Sequence, residues 1–183
     1  MKLPPKLLST IALSLLVLGN IPALADGEPL PNRTGPRQAT TNSVPHMQIG
    51  AIPPPAFTKM LLERVATIPD VNIQGSAMSI AGAKGFWLGF DIPLARPEVL
   101  VRGREFAHVH PDGSLHASLP PQLALEAVKA GWATPHPWAN QQNLSGFVML
   151  YTPKTDAELD VVFELVLKSY NFVTGRNMVV VNE

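Results

Sequence analysis

The chain has 183 residues, of which 14 are lysine or arginine and 14 are aspartate or glutamate. This length fits one domain of ordinary size, and the balanced charge provides no basic excess for binding a nucleic acid. Cysteine is absent, which excludes disulfides, cysteine nucleophiles, thiolate metal sites and lipoprotein anchors. The fold must therefore be stabilised by its core.

Residues 1–25 have the pattern of a secretory signal peptide. Two lysines precede an apolar stretch at residues 7–19, and residues 23–25 (ALA) have the small side chains of a cleavage site. The apolar stretch is shorter than the roughly 20 residues that span a membrane. We therefore expect a periplasmic or secreted protein that begins at Asp26 and does not contact the membrane after cleavage.

Residues 26–56 contain seven prolines among small polar residues. A stretch of this composition buries too little apolar surface to offset the entropy lost on ordering. We therefore predict a flexible, proline-rich linker. His46 lies in this linker, and we expect it to have no chemical role.

Residues 57–183 are predicted to form one α+β domain. Apolar residues recur at helical spacing or alternate as in strands, and Thr155-x-x-Glu158 is a capping box that begins the last helix. The elements follow the order α-β-β-β-β-α-β-α: a helix at 57–68, strands at 76–80 and 86–90, a hairpin of 104–110 with 114–119, a helix from 120, a strand at 146–152 and a helix from 155. This order favours a mostly antiparallel sheet with helices packed on one face.

Residues 110–114 (HPDGS) have the composition of a three-residue hairpin loop. Pro111 presets the first turn position, and Gly113 supplies the left-handed residue at the end of the loop. This loop length pairs His108 with His116, and directly opposed residues point to the same face. A two-residue loop would instead move His116 to the apolar face, so the three-residue loop is the preferred interpretation.

The predicted register places polar side chains on one face of the hairpin and apolar ones on the other. Glu105 is expected on the apolar face and Asp112 is used by the turn, which disfavours an iron site built from two histidines and a carboxylate. The polar face carries Arg104, Phe106, His108, His110, Ser114, His116 and Ser118.

Three interpretations of this histidine-rich face remain open. His108, His110 and His116 have suitable spacing to bind a divalent metal such as Zn²⁺, Cu²⁺ or Fe²⁺. Imidazole also titrates near neutral pH, so the same rings suit acid and base catalysis. The third interpretation is a hydrogen-bonded cluster without chemistry. A further histidine, His136, lies between Trp132 and Trp138, which are candidate walls of a pocket.

Three motifs together resemble the luciferase-domain family, whose best-known members are the fungal luciferases. They are REFAHVHPDGSLH at 104–116, AGWATPHPWA at 130–139 and GFVMLYTPKTDAELDVV at 146–162. The likeness extends over roughly residues 80–172. The chain departs from the family in its export signal and in the length of the turn between the second and third histidines of the motif.

The resemblance implies oxygen-dependent oxidation of a small phenolic or pyrone-like compound, without a known cofactor. His108, His110, His116 and His136 match the family's histidines and are the candidate catalytic residues, and the candidate substrate-binding residues are Arg104, Phe106, Trp132 and Trp138. We expect an exported oxidoreductase that does not emit light and has no protein partner. The alternative is a non-catalytic periplasmic protein that binds a divalent metal or a small ligand through the same histidines.

Overall fold

The computed structural model describes residues 16–17, 29–50 and 55–181. The predicted signal peptide lies outside these residues, except for Leu16–Val17, which form β1 and pair in parallel with β8. The elements are β1 (Leu16–Val17), α1 (Pro55–Val65), β2 (Val71–Gly75), β3 (Lys84–Leu88), β4 (Glu105–Val109), β5 (Leu115–Ser118), α2 (Pro121–Lys129), β6 (Ala133–Pro135), β7 (Phe147–Leu150), α3 (Asp156–Thr174) and β8 (Val180–Val181).

Six strands form one antiparallel sheet in the order β2-β3-β4-β5-β7-β6. The predicted α+β class is therefore confirmed, and the order of the elements roughly matches the prediction. The strand predicted at 76–80 lies instead at Val71–Gly75. The edge strand β6 was not predicted, because three residues are too few for an alternating pattern to be visible.

The last helix covers the apolar face of the central strands. It begins as predicted, with Thr155 Oγ1 accepting a hydrogen bond from the Glu158 N–H, and Gly175 ends it with a φ of +74°. This helix contacts β4, β5 and α1. Its buried side chains join those of Val109 and Leu115 in the core, where each fully buried large apolar side chain contributes roughly 1.5–3 kcal/mol. Within the described part of the chain, no helix is long and apolar enough to cross a membrane.

A β-bulge interrupts the pairing of β3 with β4. Trp87 pairs with Glu105, whereas its neighbour Phe86 pairs with Ala107, so Phe106 is the extra residue of the bulge. The bulge reverses the alternation of faces on its amino-terminal side. Glu105 therefore lies on the histidine face and Phe106 in the core, which corrects the prediction made from strict alternation.

Residues 29–50 form an arm that packs against the domain. Leu30 is buried and donates its N–H to Glu126, and the Trp132 indole donates to the Pro31 carbonyl oxygen at 2.6 Å. In its described part, the predicted linker thus packs against the domain through specific polar contacts rather than through broad apolar burial.

Arg33 makes the main charged contact of the arm. Its Nη2 lies 2.8 Å from both the Thr152 carbonyl oxygen and Glu158 Oε2, and its guanidinium lies 5.7 Å and 5.6 Å from the rings of Trp132 and Tyr151. The Arg33 and Glu158 side chains are only 6% and 11% exposed. Burial raises the pKa of Glu158, but hydrogen bonds from Arg33 and the Lys154 N–H outweigh it and lower that pKa below 4.5.

Glu158→Gln tests this pair. We expect the substitution to lower the free energy of unfolding by roughly 3 kcal/mol at neutral pH, because it leaves the arginine charge buried without its partner. Chemical denaturation and proteolysis of the arm provide the measurements. Glu63→Gln is the matched control, because its pair with Lys59 is exposed and is worth less than about 1 kcal/mol.

The effect of Glu158→Gln also depends on pH. The folded-state pKa of Glu158 is below 4.5, so its stabilisation is present above that value and is lost as the pH falls through the folded pKa. The stabilities of the variant and the parent should therefore converge in acid. Equal stabilities at neutral pH would show that this pair does not hold the arm.

Candidate functional site

All five histidines of the chain meet in one buried cluster. The ring of His116 lies at its centre, with centroid distances of 4.7 Å to His110, 4.7 Å to His136, 5.0 Å to His108 and 5.4 Å to His46. Each of the five residues is between 2% and 4% exposed. The structure thus brings the four predicted histidines together and adds His46.

The hairpin has the predicted register, with His108 opposite His116. The turn is closed by hydrogen bonds from the Ser114 N–H to Asp112 Oδ1 at 3.0 Å and from the Ser114 hydroxyl to the same oxygen at 2.7 Å. Gly113 has a φ of +80°, which favours glycine. The turn chemistry read from the sequence therefore sets the geometry of the site.

Glu105 fixes the orientation of His108. Its Oε1 lies 3.0 Å from His108 Nδ1, and its two oxygens also accept hydrogen bonds from the Ser76 hydroxyl and the Ala77 N–H. Burial raises the pKa of Glu105, but these hydrogen bonds outweigh it, so the pKa lies below its usual value. Because the carboxylate is charged and accepts, His108 Nδ1 carries the hydrogen, and its Nε2 faces His116 Nδ1 at 3.0 Å.

A glycine leaves room for this carboxylate. Gly85 pairs with His108 across β3 and β4, and a Cβ at this position would lie 2.6 Å from Trp87 Nε1 and 2.9 Å from Glu105 Cδ. In the sequence, this glycine lies between the strands predicted at 76–80 and 86–90. Its role in making room for the carboxylate depends on the bulge, which places Glu105 on the same face.

The turn itself orients His110. Its Nδ1 lies 3.0 Å from the Ser114 hydroxyl oxygen, and that hydroxyl donates its only hydrogen to Asp112. His110 Nδ1 must therefore donate, which leaves Nε2 with a free lone pair. Burial, and secondarily the neighbouring His108, lower the pKa of His110 to about 4.

His136 has the opposite orientation. Its Nδ1 accepts a hydrogen bond from the Trp138 N–H at 3.0 Å, so in the neutral ring Nε2 carries the hydrogen. Burial, and secondarily the neighbouring His46, lower the pKa of His136 to about 4. His136 therefore offers an N–H donor, whereas His110 offers a lone pair.

His46 enters the cluster from the arm. Its Nδ1 lies 3.3 Å from His116 Nε2, and burial lowers its pKa. Two residues further on, the Gln48 amide both donates to Thr152 Oγ1 at 2.6 Å and accepts from the Thr152 N–H at 3.1 Å. The Thr152 hydroxyl in turn donates to the Asp112 carbonyl oxygen. The loop that carries His46 is therefore tied to the hairpin turn.

The prediction that His46 has no chemical role rested on the composition of its surroundings. Its position depends on contacts with residues about 70 and 100 places along the chain, which local composition does not reveal. No motif near His46 would have identified it.

A cavity of about 380 Å³ opens beside the cluster, within the size range of small-molecule sites. All five histidines and Trp138 line it, together with Val44, Pro45, Met78, Ser79 and Ile80. Trp138, a predicted pocket wall, therefore lies in the lining of this cavity. Trp132 does not reach the cavity lining, because its indole anchors the arm at Pro31.

The other two predicted substrate-binding residues also lie away from the cavity. Arg104 donates hydrogen bonds to the carbonyl oxygens of Leu88 and Ile92. Phe106 is 2% exposed, and its ring lies 5.9 Å from that of Tyr170 in the core. Both residues lie at or before the bulge, where the predicted alternation of faces fails.

The cluster has a donor set that could hold a metal. Among the described residues, two groups of three histidines place one ligand atom each within 4.8 Å of one another: His108 with His110 and His116, and His46 with His116 and His136. Burial, together with the other rings, lowers the pKa of His116 well below 6.5. Neutral rings of this kind have lone pairs that suit Zn²⁺, Cu²⁺ or Fe²⁺.

Residues 103–169 match the family model described as Luciferase domain. The chain is 28% identical over 166 residues to a luciferase of Armillaria gallica and 29% identical over 167 residues to one of Neonothopanus nambi. Each match covers 80% of this chain, and the chain spans 62% and 61% of the length of these two relatives. No solved structure matches the chain. The predicted resemblance of this chain to the luciferase-domain family is therefore confirmed.

Proposed function

We propose that the cavity binds a small phenolic or pyrone-like compound and that the protein oxidises it with O₂. The proposal is supported by the relatives, which are named luciferases, and by a cavity of suitable size. The observation that carries it is the pair of opposite ring orientations at the cavity. His110 offers a lone pair for a hydroxyl hydrogen, and His136 offers an N–H for the resulting oxyanion.

In this chemistry a histidine lone pair accepts the hydroxyl proton of the bound compound, and the electron-rich anion then reacts with O₂. General base catalysis by a positioned imidazole contributes about 10²- to 10⁴-fold to a rate. A fixed donor aimed at a developing oxyanion contributes roughly 10²- to 10³-fold. Light emission is not part of the proposal, because it depends on the product as much as on the fold.

Oxygen consumption with a panel of phenols and hydroxypyrones tests this function. We expect uptake with at least one compound, and a kcat about 10²-fold lower in His136→Leu, whose side chain has no N–H to donate. Phe90→Ser is the control, because Phe90 is 92% exposed and lies outside the cavity lining. If folded protein consumes no O₂ with any compound of the panel, the oxidative function is wrong.

A second candidate is a non-catalytic protein that binds a divalent metal or a small ligand through the same histidines. The specific observation in its favour is the convergence of three imidazoles in each of the two groups described above. Metal analysis of protein purified without a histidine tag tests it. Stoichiometric metal without oxygen consumption would favour this candidate over the oxidative one.

We also propose that the protein is exported, on the basis of the signal-like pattern of residues 1–25. Expression of the full chain in a bacterium, followed by fractionation and intact-mass measurement, tests this proposal. The expected result is periplasmic or secreted protein that begins at Asp26. Uncleaved protein in the cytoplasm would contradict it.

The neutral rings predict acid sensitivity of the metal-free protein. The pKa of His136 is about 4 in the folded state and 6.5 when unperturbed, so unfolding takes up a proton in this interval. Stability should therefore be lost as the pH falls from 6.5 to about 4, by at most about 3 kcal/mol for this ring.

Chemical denaturation at a series of pH values, after treatment with a chelator, measures this loss. His136→Asn does not titrate at this position and should show a shallower decline over the same interval. The carboxylates Glu105 and Glu158 have folded-state pKa values below 4.5. Their effect on stability is therefore confined to lower pH than that of His136. An equal slope in parent and variant would contradict the assignment.

A further inference from the structure

The three hairpin histidines each place one ring nitrogen within 4.8 Å of the others. We propose that His108 Nε2, His110 Nε2 and His116 Nδ1 form a binding site for one divalent transition-metal ion, with the remaining coordination positions open to the cavity. This inference rests on the second function proposed above and assigns its ligand atoms. It does not depend on the oxidative function.

Each of the three rings has its other nitrogen held by a partner behind it. His108 Nδ1 lies 3.0 Å from Glu105 Oε1, and His110 Nδ1 lies 3.0 Å from the Ser114 hydroxyl oxygen. His116 Nε2 lies 3.3 Å from His46 Nδ1. Histidines that bind metals almost always donate their second N–H to such an acceptor, which fixes the ring and directs the other lone pair forward.

The spacing of the forward nitrogens suits a metal. His108 Nε2 and His116 Nδ1 are 3.0 Å apart, and two imidazoles bound tetrahedrally at 2.0–2.1 Å would be about 3.3 Å apart. One ring nitrogen of His110 lies within 4.8 Å of a ring nitrogen of each of these two histidines. Two lone pairs this close repel each other unless a hydrogen or a cation lies between them.

The second group of three histidines is a poorer site. His136 Nδ1 accepts the Trp138 N–H, so its Nε2 keeps a hydrogen and has no lone pair for a metal. His116 cannot serve both groups with one neutral ring, because only one of its nitrogens is free of hydrogen. His136 is instead placed to donate to a ligand that is bound at the metal.

Three imidazole ligands favour a particular class of ion. Imidazole nitrogen suits Zn²⁺, Cu²⁺ and Fe²⁺, whereas Mg²⁺ and Ca²⁺ require oxygen ligands. Glu105 is engaged by His108, Ser76 and Ala77, so it supports the site without being a ligand. Three protein ligands leave at least one position for an oxygen atom of a molecule in the cavity.

The test uses full-length, metal-free protein without a histidine tag, titrated with Zn²⁺ by calorimetry and with Co²⁺ by visible absorption. We expect one ion per chain, and loss of binding in His108→Ala and His116→Ala. Glu105→Gln should weaken binding roughly 10- to 100-fold, because it removes the charged hydrogen-bond partner that orients the His108 ligand. His136→Ala removes a histidine of the second group only, so we expect this variant still to bind one ion per chain.

Zinc X-ray absorption on the unmodified protein tests the ligand set without any substitution. Three imidazole ligands are expected, and a zinc ion with fewer imidazoles or with a protein carboxylate would overturn the assignment. Loss of binding in His136→Ala, with binding retained in His108→Ala, would place the ion in the other group. Failure to bind either ion would refute the site altogether.

Oxygen consumption separates this inference from the oxidative function. Protein that binds one ion through the hairpin trio but oxidises nothing would support the site and refute the oxidative function. Protein that binds no ion but consumes O₂ when metal-free would support the oxidative function and refute the metal site.

Discussion

The three-residue turn between β4 and β5 is the constraint on which the site depends. It sets the register that places His108 opposite His116, and a slip of one residue would send His116 to the core face. The groups that close the turn also act in the site, because Ser114 and Asp112 hold the His110 ring. Local backbone chemistry and site geometry are therefore determined by the same few residues.

Because the turn is local, much of this part could be predicted from the sequence. Proline, aspartate and glycine in consecutive turn positions identify the loop, and the capping box at Thr155 identifies the start of α3. The bulge could not be predicted, because it is a property of two paired strands rather than of either strand alone. Strict alternation consequently placed Phe106 on the histidine-rich face and Glu105 on the apolar face, the reverse of their positions.

The packing of the arm against the domain could not be predicted from the sequence. Its composition predicts a flexible segment, since it has little apolar surface to bury. It is nevertheless held by individual polar contacts, among them the Gln48 pair with Thr152 and the Arg33 pair with Glu158. Such contacts join residues more than 100 places apart. His46 could therefore be identified as part of the cluster only from the fold.

Burying five imidazoles together is costly unless each ring has partners for its polar atoms. The cluster satisfies its rings asymmetrically: acceptors hold the N–H groups of His108 and His110 and leave the other nitrogen of each ring with a lone pair. The Trp138 N–H donates to His136 instead, so the other nitrogen of that ring carries the hydrogen. A cluster with only a structural role has no need of this division, because any complete pairing of donors and acceptors would satisfy it. Lone pairs on one side and a donor on the other are complementary to a cation and to an oxygen anion bound beside it.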